Sequence, residues 1–559
     1  MAHDDDPLTV ARQRVVALRV ALEADEDGPV RLIETHISWV LLTDALAYKL
    51  KKPVRLPFLD FTTLAARRHF CEEELRLNRR LAPGLYLDVA EVRAGPSGPR
   101  FGGAGQVLDF AVRMRRFPDG ALWSEMLAEG RLAASHIDAM AQRLADFHRD
   151  AAVATPDSGF GSAPGHARVT HGLIDAIDAM RSMGSTSAGW TACATPGPGI
   201  DWPALRAWLA EQLQALAPLR AARLRGGRVR ECHGDLHLSN VLQLEGVASA
   251  FDGIEFDPEL RWIDVLDDIA FLAMDLLAHG QRALAFRFIN ACLEVSGDFD
   301  GLPALRFFMV SRALVRAQVM ALRDAQGVQP GIQSTARCGT PDYLALASAL
   351  SASADPQLAI THGLPGSGKS FMSQRVVEEV GAIRVRSDVE RKRLFGLGAL
   401  QSSRDLVSSG ICGVDGTHGT HGIYGIYGQA ATARTYARLL EVAQVALGAG
   451  WPVVVDAAFL RRAERAQFAA LAASLSAPFS IFDCQASSAL LRQRVEQRSQ
   501  QGAAGVAEPS EADVRVLERL THADEPLDAP ERAVAIDVDA ARPVPPATLA
   551  RQWLAAASA

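Results

Sequence analysis

Leu358-Ala359-Ile360-Thr361-His362-Gly363-Leu364-Pro365-Gly366-Ser367-Gly368-Lys369-Ser370 reads as an apolar strand, a glycine-rich loop and the opening of a helix. Its last eight residues are the G-x-x-x-x-G-K-S of a Walker A loop. Glycine admits the backbone conformations that turn successive N–H groups towards phosphate oxygens. Lys369 is then placed to bridge β- and γ-phosphates, and Ser370 to reach Mg²⁺. Further strands are expected over 383–385, 452–455 and 478–482, with helices between them, which predicts a parallel α/β sheet. Val453-Val454-Val455-Asp456 is an apolar strand ending in an acid, so Asp456 is the expected Walker B metal ligand.

Composition narrows the classes of partner. The chain has 559 residues, 48% hydrophobic and 22% charged, which is the balance of a globular protein of two or more domains. Its net charge is −7, and residues from 353 onward carry 21 basic and 22 acidic side chains. That disfavours nucleic acid and anionic membrane surfaces, both of which are bound mainly through positive charge. The apolar run over 269–278 is interrupted by Asp275 and too short to cross a bilayer. The acidic start Met-Ala-His-Asp-Asp-Asp lacks the pattern of a secretion signal, and the 7 cysteines form no C-x-x-C pair. A reduced, cytoplasmic setting is the expectation. Of the 58 basic residues only Lys49, Lys51, Lys52, Lys369 and Lys392 are lysines, so these are the candidate positions for a required compact ammonium, the alternative being that they escaped the arginine bias.

Two domains are expected, 1–350 and 353–559, with the boundary in the small-residue stretch 351–355. Before it, strands over 36–43 and 45–54 precede a helix over 62–80 capped by Asp60. A strand over 107–117 follows, and a mostly helical remainder reaches 350. The tandem duplication over 416–428 reads as a surface insertion rather than a metal site.

The first domain carries a second constellation. His233-Gly234-Asp235-Leu236-His237-Leu238-Ser239-Asn240 has the H-x-D-x-x-x-x-N spacing of a phosphotransfer loop. There an aspartate takes the proton of an attacking hydroxyl and the asparagine reaches a metal ion. Asp252, after a short hairpin, is in place as the second metal ligand. Ala47-Tyr48-Lys49 matches the strand whose lysine holds the α- and β-phosphates. Glu74 shares the apolar face of the following helix with Phe70 and Leu77, which makes it the expected partner of Lys49. Lys51 lies on the same side of the strand and is the rival. No G-x-G-x-x-G precedes the strand, so the phosphate-covering loop is not identified. Asp264, Asp267 and Asp268 read as caps and loop supports or as a polycation site, and Arg312 and Arg316 as a solvated or salt-bridged face or as a clamp for an anionic substrate.

With the FDGIEFDP that follows, HGDLHLSN resembles the aminoglycoside phosphotransferase and choline-kinase branch of the protein-kinase fold, over roughly residues 30 to 345. The resemblance implies a bilobal α+β domain and ATP- and Mg²⁺-dependent phosphorylation of a small-molecule hydroxyl. Asp235 would be the base, with Asn240 and Asp252 holding metal. Ser387-Asp388-Val389-Glu390-Arg391 resembles the D-x-x-R element of small P-loop kinases, in which the aspartate is the base and the arginine contacts phosphate. Arg494 and Arg498, one helical turn apart, resemble the lid arginines of that group. The chain as a whole resembles bacterial proteins that fuse these two domains. That implies a bifunctional phosphotransferase. Two alternatives stand beside it: a regulatory protein in which one nucleotide site gates the other, and a polynucleotide 5′-hydroxyl kinase in the second domain. The acceptors and the oligomeric state are not readable from the sequence.

Overall fold

The computed structural model describes residues 6–25, 28–56, 59–186, 200–325, 341–352, 355–402, 426–503, 509–542 and 544–556. The chain divides into two compact units, Met1–His279 with Phe308–Ser348, and Gly280–Phe307 with Ala349–Ala559. The second unit thus takes in a stretch lying well before 351–355.

In the first unit six strands form an antiparallel sheet: β1 (Arg31–Glu34), β2 (Ser38–Leu42), β3 (Leu46–Lys51), β4 (Tyr86–Gly95), β5 (Gly98–Phe101) and β6 (Val107–Arg115), in the order β1-β2-β3-β6-β4-β5. Helix α1 (Pro7–Asp25) covers one face. Its Ala11, Val15, Leu18 and Leu22 recur every three or four residues and pack on Trp39, Leu41, Tyr48 and Leu50. Leu18, fully buried, contributes roughly 1.5–3 kcal/mol on this basis. Helix α2 (Leu64–Asn78) covers the other face, where Cys71 joins Ala47, Tyr86, Phe110 and Val112. Strand alternation therefore sends Tyr48 and Leu50 towards α1, and Ala47, Lys49 and Lys51 towards α2. The cap of α2 is Thr63, whose hydroxyl accepts the Ala66 N–H at 3.1 Å, and not Asp60. Asp60 instead accepts from Thr62, and the helix starts later than its spacing predicted.

The remainder of this unit is mostly helical. A hairpin of β7 (Val241–Leu244) and β8 (Val247–Ala250) interrupts it. Its two-residue loop, Glu245 and Gly246, has φ of 51° and 80°, the left-handed pair that matches strand twist. This tight turn sets the distance along the chain from Asn240 to Asp252. Helix α3 (Val265–Ala278) follows and is buried along most of its length.

The second unit is built on five parallel strands: β9 (Leu358–His362), β10 (Ile383–Arg386), β11 (Val453–Asp456), β12 (Phe479–Gln485) and β13 (Ala535–Asp539), in the order β10-β11-β9-β12-β13. Central β9 is buried at every position, as a strand covered on both faces requires. Helices α5 (Lys369–Val380) and α6 (Ser387–Leu394) follow β9 and β10. Helix α4 (Arg282–Ser296), from the early stretch, packs on α5 and on edge strand β10. Asn290 explains why. Its amide donates to Ala382 O at 2.9 Å and accepts the Arg384 N–H at 2.7 Å, pairing the sheet edge as another strand would. A side chain on Gly381 would lie 2.8 Å from the Phe286 ring, so glycine permits the approach. No described helix is long and apolar enough to cross a membrane.

Candidate functional site

In the first unit Glu74 serves both lysines. Its Oε1 accepts Lys49 Nζ and its Oε2 accepts Lys51 Nζ, each at 2.8 Å, with the glutamate fully buried. Lys49 also pairs with Asp252, and Lys51 with Glu255. Sequence offered Lys49 and Lys51 as rivals, whereas the structure joins both to one carboxylate. Burial opposes charge on Glu74, but the two ammoniums outweigh it and hold its pKa below the ordinary value. Burial likewise opposes charge on Lys49, and Asp252, Glu74 and Glu255 keep its pKa high. Three carboxylates face two ammoniums, which leaves an excess negative charge. Asp252 is the open member, with its side chain 42% exposed. Hard oxygen donors with excess negative charge suit Mg²⁺.

Asp252 has φ of 62°, and its N–H donates to the Tyr86 hydroxyl at 3.1 Å. The adjacent Gly253 N–H donates to Asn78 Oδ1 at 2.8 Å. Asn78 is the last residue of α2 and Tyr86 the first of β4, so the helix, the sheet and the loop bearing Asp252 are tied together.

The Asp235 loop is held from beneath. Asp268 on α3 accepts the N–H groups of His233 at 3.1 Å and Gly234 at 3.0 Å, and lies 3.0 Å from His148 Nε2. Burial would raise the Asp268 pKa, but the His148 and His233 interactions prevail and lower it to about 2. Gly234 has φ of 84°, and a Cβ there would meet Leu260 O at 2.6 Å. Glycine is required at that position. Arg312 chelates Asp267 at 2.7 and 2.9 Å and donates to Gly234 O at 3.2 Å, and Asp264 caps α3. The three aspartates thus sit as cap and loop supports, the reading their sequence positions suggested, and Arg312, read as one of a solvated or salt-bridged pair, is ion-paired and reaches the loop as well.

Asp235 itself remains 34% exposed at the side chain. Asn240 Nδ2 donates to its Oδ2 at 3.0 Å and to its backbone oxygen at 2.9 Å. His237 Nε2 lies 3.4 Å from Oδ2, and Arg316 Nη1 lies 3.3 Å from the same ring nitrogen. Burial works against the Asp235 charge, yet His237, Arg316 and His233 keep its pKa far below the ordinary carboxylate range. The side chain is ionised at neutral pH. Sequence reasoning passed over His237, which sits inside the quoted motif, and over Glu255 and Asp275. Asp275 accepts the Leu238 N–H at 2.9 Å from across the fold, which no local spacing signals.

In the second unit the Walker A loop leaves the C-terminal end of β9. Gly363, Gly366 and Gly368 have φ of 139°, 89° and 90°, and a Cβ on Gly363 would lie 2.4 Å from Cys484 O. Lys369 Nζ donates to the oxygens of Gly363 at 2.8 Å and Leu364 at 2.9 Å, across Pro365 and the rest of the loop. Ser367 Oγ is buried without a hydrogen-bond partner. Burial lowers the Lys369 pKa, with Asp456 and Asp388 opposing. Asp456 ends β11 beside β9, and its Oδ2 accepts the Ser373 hydroxyl at 3.0 Å. The Ser373 hydroxyl lies 3.2 Å from Ser370 O. The Asp456 carboxylate offers hard oxygen donors of the kind a divalent cation takes.

Asp388 lies in the first turn of α6 and is near enough to Lys369 and Arg386 to influence both electrostatically. Arg391 is 8% exposed and donates to Ile426 O at 2.9 Å and Thr432 Oγ1 at 3.2 Å, with its guanidinium over Tyr427. Arg494 lies against the Walker A loop, donating to Gly366 O at 3.1 Å and Ala540 O at 3.2 Å. Arg498 acts on Lys369 electrostatically, and its buried Nε has no hydrogen-bond partner. Lys392 is buried and pairs with Glu511 at 3.2 Å. Residues 416–425 of the duplicated stretch and 504–507 of the loop after Arg498 lie outside the described residues.

Among known proteins, an uncharacterized protein of Mycobacterium tuberculosis is 29% identical over 466 residues, covering 83% of this chain and 86% of the relative. A solved choline/ethanolamine kinase family protein from Mesorhizobium loti aligns with 61% of this chain and 99% of its own, at 14% identity and a TM-score of 0.32. A solved putative kinase from Chloroflexus aurantiacus aligns with 36% of this chain and 98% of its own, at 19% identity and a TM-score of 0.27. Residues 358–527 match the model of the AAA domain family. The C-terminal part of the chain therefore carries an AAA-type P-loop domain.

Proposed function

We propose that the protein is an ATP- and Mg²⁺-dependent phosphotransferase with two sites, each acting on a hydroxyl group of a small molecule. The observation that carries the reading is the Lys49 ammonium joining Glu74 to Asp252, in a unit that also holds an ionised, partly open Asp235 against Asn240. MgATP, when bound, supplies the transferable phosphoryl group and the metal charge that offsets its oxygens. Glu74 orients Lys49 towards the phosphates, and Lys51 with Glu255 holds Glu74 in place. Asp252 and Asn240 would hold metal. Asp235 takes the proton of the acceptor hydroxyl, and Asn240 and His237 fix the direction of its carboxylate. In the second unit Lys369 and the loop amides bind phosphate, and Ser370 and Asp456 would hold metal. Asp388 is the candidate base, and Arg494 and Arg498 offset charge on the moving group. Arg391, which the scheme would have contact phosphate, turns its guanidinium to Ile426 and Thr432 instead.

The test is ATP turnover by the full chain against a metabolite library. Asp235→Asn should lower turnover of acceptors used by the first site by about 10²–10⁴ with the fold unchanged. Near-normal turnover in that variant with every acceptor the first site uses would end the assignment.

A further inference from the structure

Helix α4 precedes residue 358, where the AAA match begins, yet it places a carboxylate beside the Walker residues. Glu294, 15% exposed at the side chain, accepts Arg384 Nε at 3.1 Å and Nη2 at 2.7 Å on one oxygen. Its other oxygen accepts Arg386 Nη1 at 3.4 Å. Both arginines reach onward to the nucleotide site. Arg384 Nη1 donates to Ser370 O at 3.2 Å, and Arg386 Nε stands 3.8 Å from Asp456 Oδ2. The Asp456 carboxylate is only 3% exposed.

The Arg386 guanidinium beside a would-be metal ligand poses an electrostatic problem. A cation close to Asp456 competes directly with a divalent ion for the same oxygens. Glu294 counters this by holding both arginines through its own carboxylate, which leaves the Arg386–Asp456 contact long. We infer that Glu294 is a positioning residue of the P-loop site, restraining Arg386 so that Asp456 stays available to Mg²⁺. This rests on the proposed MgATP binding at Lys369. Removing the Glu294 charge would let Arg386 close on Asp456, so metal would bind more weakly while the phosphate pocket became more positive.

The experiment is calorimetric titration of a non-hydrolysable ATP analogue into the full chain, with and without Mg²⁺, plus Mn²⁺ binding followed by electron paramagnetic resonance. The signal that Lys369→Ala removes is that of the P-loop site. Glu294→Gln should raise the Mg²⁺ concentration for half-saturation about tenfold or more, while Mg²⁺-free nucleotide binds as well as before or tighter. Arg386→Gln alone should lower the Mg²⁺ requirement, and the double variant should return to within about threefold of the parent. The Arg386→Gln variant decides the matter if Glu294→Gln does not fold. An unchanged Mg²⁺ requirement in both single variants would overturn the inference. So would equal weakening of nucleotide with and without metal in Glu294→Gln, which marks a purely structural role. If Lys369→Ala removes no signal from the parent chain, the reading of the P-loop site falls, and this inference with it.

Discussion

Replacing Asp268 with Asn tests whether the Asp235 loop is positioned from below. The carboxylate accepts two backbone N–H groups and faces His148, all at 3.0–3.1 Å. An amide of the same shape has one accepting oxygen and turns an NH₂ group towards the remaining donors. Asp268 is lowered from 3.8 to about 2, and each pKa unit is about 1.4 kcal/mol, so its ionised form stabilises the folded loop by ~2.5 kcal/mol. A depressed carboxyl contributes above its unfolded pKa, and the contribution fades as pH falls through the folded value. The difference between parent and variant should therefore be full at pH 7 and shrink below pH 4. Amide hydrogen exchange of peptides covering 229–241 reads this directly. The variant should open roughly sixtyfold more often at pH 7 and about tenfold more often at pH 3. Because Asp235 follows Gly234 immediately, turnover at the first site should also fall, by about 10²-fold. Equal exchange in the two proteins at pH 7, with turnover preserved, would refute the argument that Asp268 holds the loop.

Three further outcomes follow from the geometry. Lys369→Ala should abolish nucleotide binding at the P-loop site and leave the Lys49 site at its parent affinity, seen by calorimetry as one site of two. An acyl-phosphate ATP probe should label Lys369 and Lys49 and be displaced by MgATP. Lys51, enclosed by Glu74 and Glu255, and Lys392, buried with Glu511, should stay nearly unlabelled. Asn290→Ala strips partners from Ala382 O and Arg384 N–H at a buried sheet edge, at about 1–3 kcal/mol each. It should lower the thermal midpoint of the P-loop unit and speed exchange at 382–386, while exchange at 229–241 is unchanged.

The motif-bearing residues were legible because each motif is a short spacing on a single local element. Gly363 to Ser370 declares its loop by its glycines, and strand alternation alone put Lys49 and Lys51 on one face. Helical spacing alone put Glu74 on the inner side of α2. What lay beyond the sequence was set by long-range pairing. Nothing near the two lysines announces their other partners, because Asp252 and Glu255 arrive from 203 and 204 residues further along the chain. Helix α1 lies over residues for which the sequence suggested no element, and only the sheet face it covers gives its three-and-four apolar spacing a purpose. The stretch 282–306 read as part of the first domain because it continues that domain's helical run. Tertiary structure reassigned it, since the edge of a parallel sheet leaves backbone N–H and C=O groups that must be paired, and Asn290 pairs them. Local spacing thus determined which side chains are capable of chemistry. The fold decided which distant charges surround them, because the energy of a buried charge depends on every neighbour brought within a few ångströms, whatever its place in the chain.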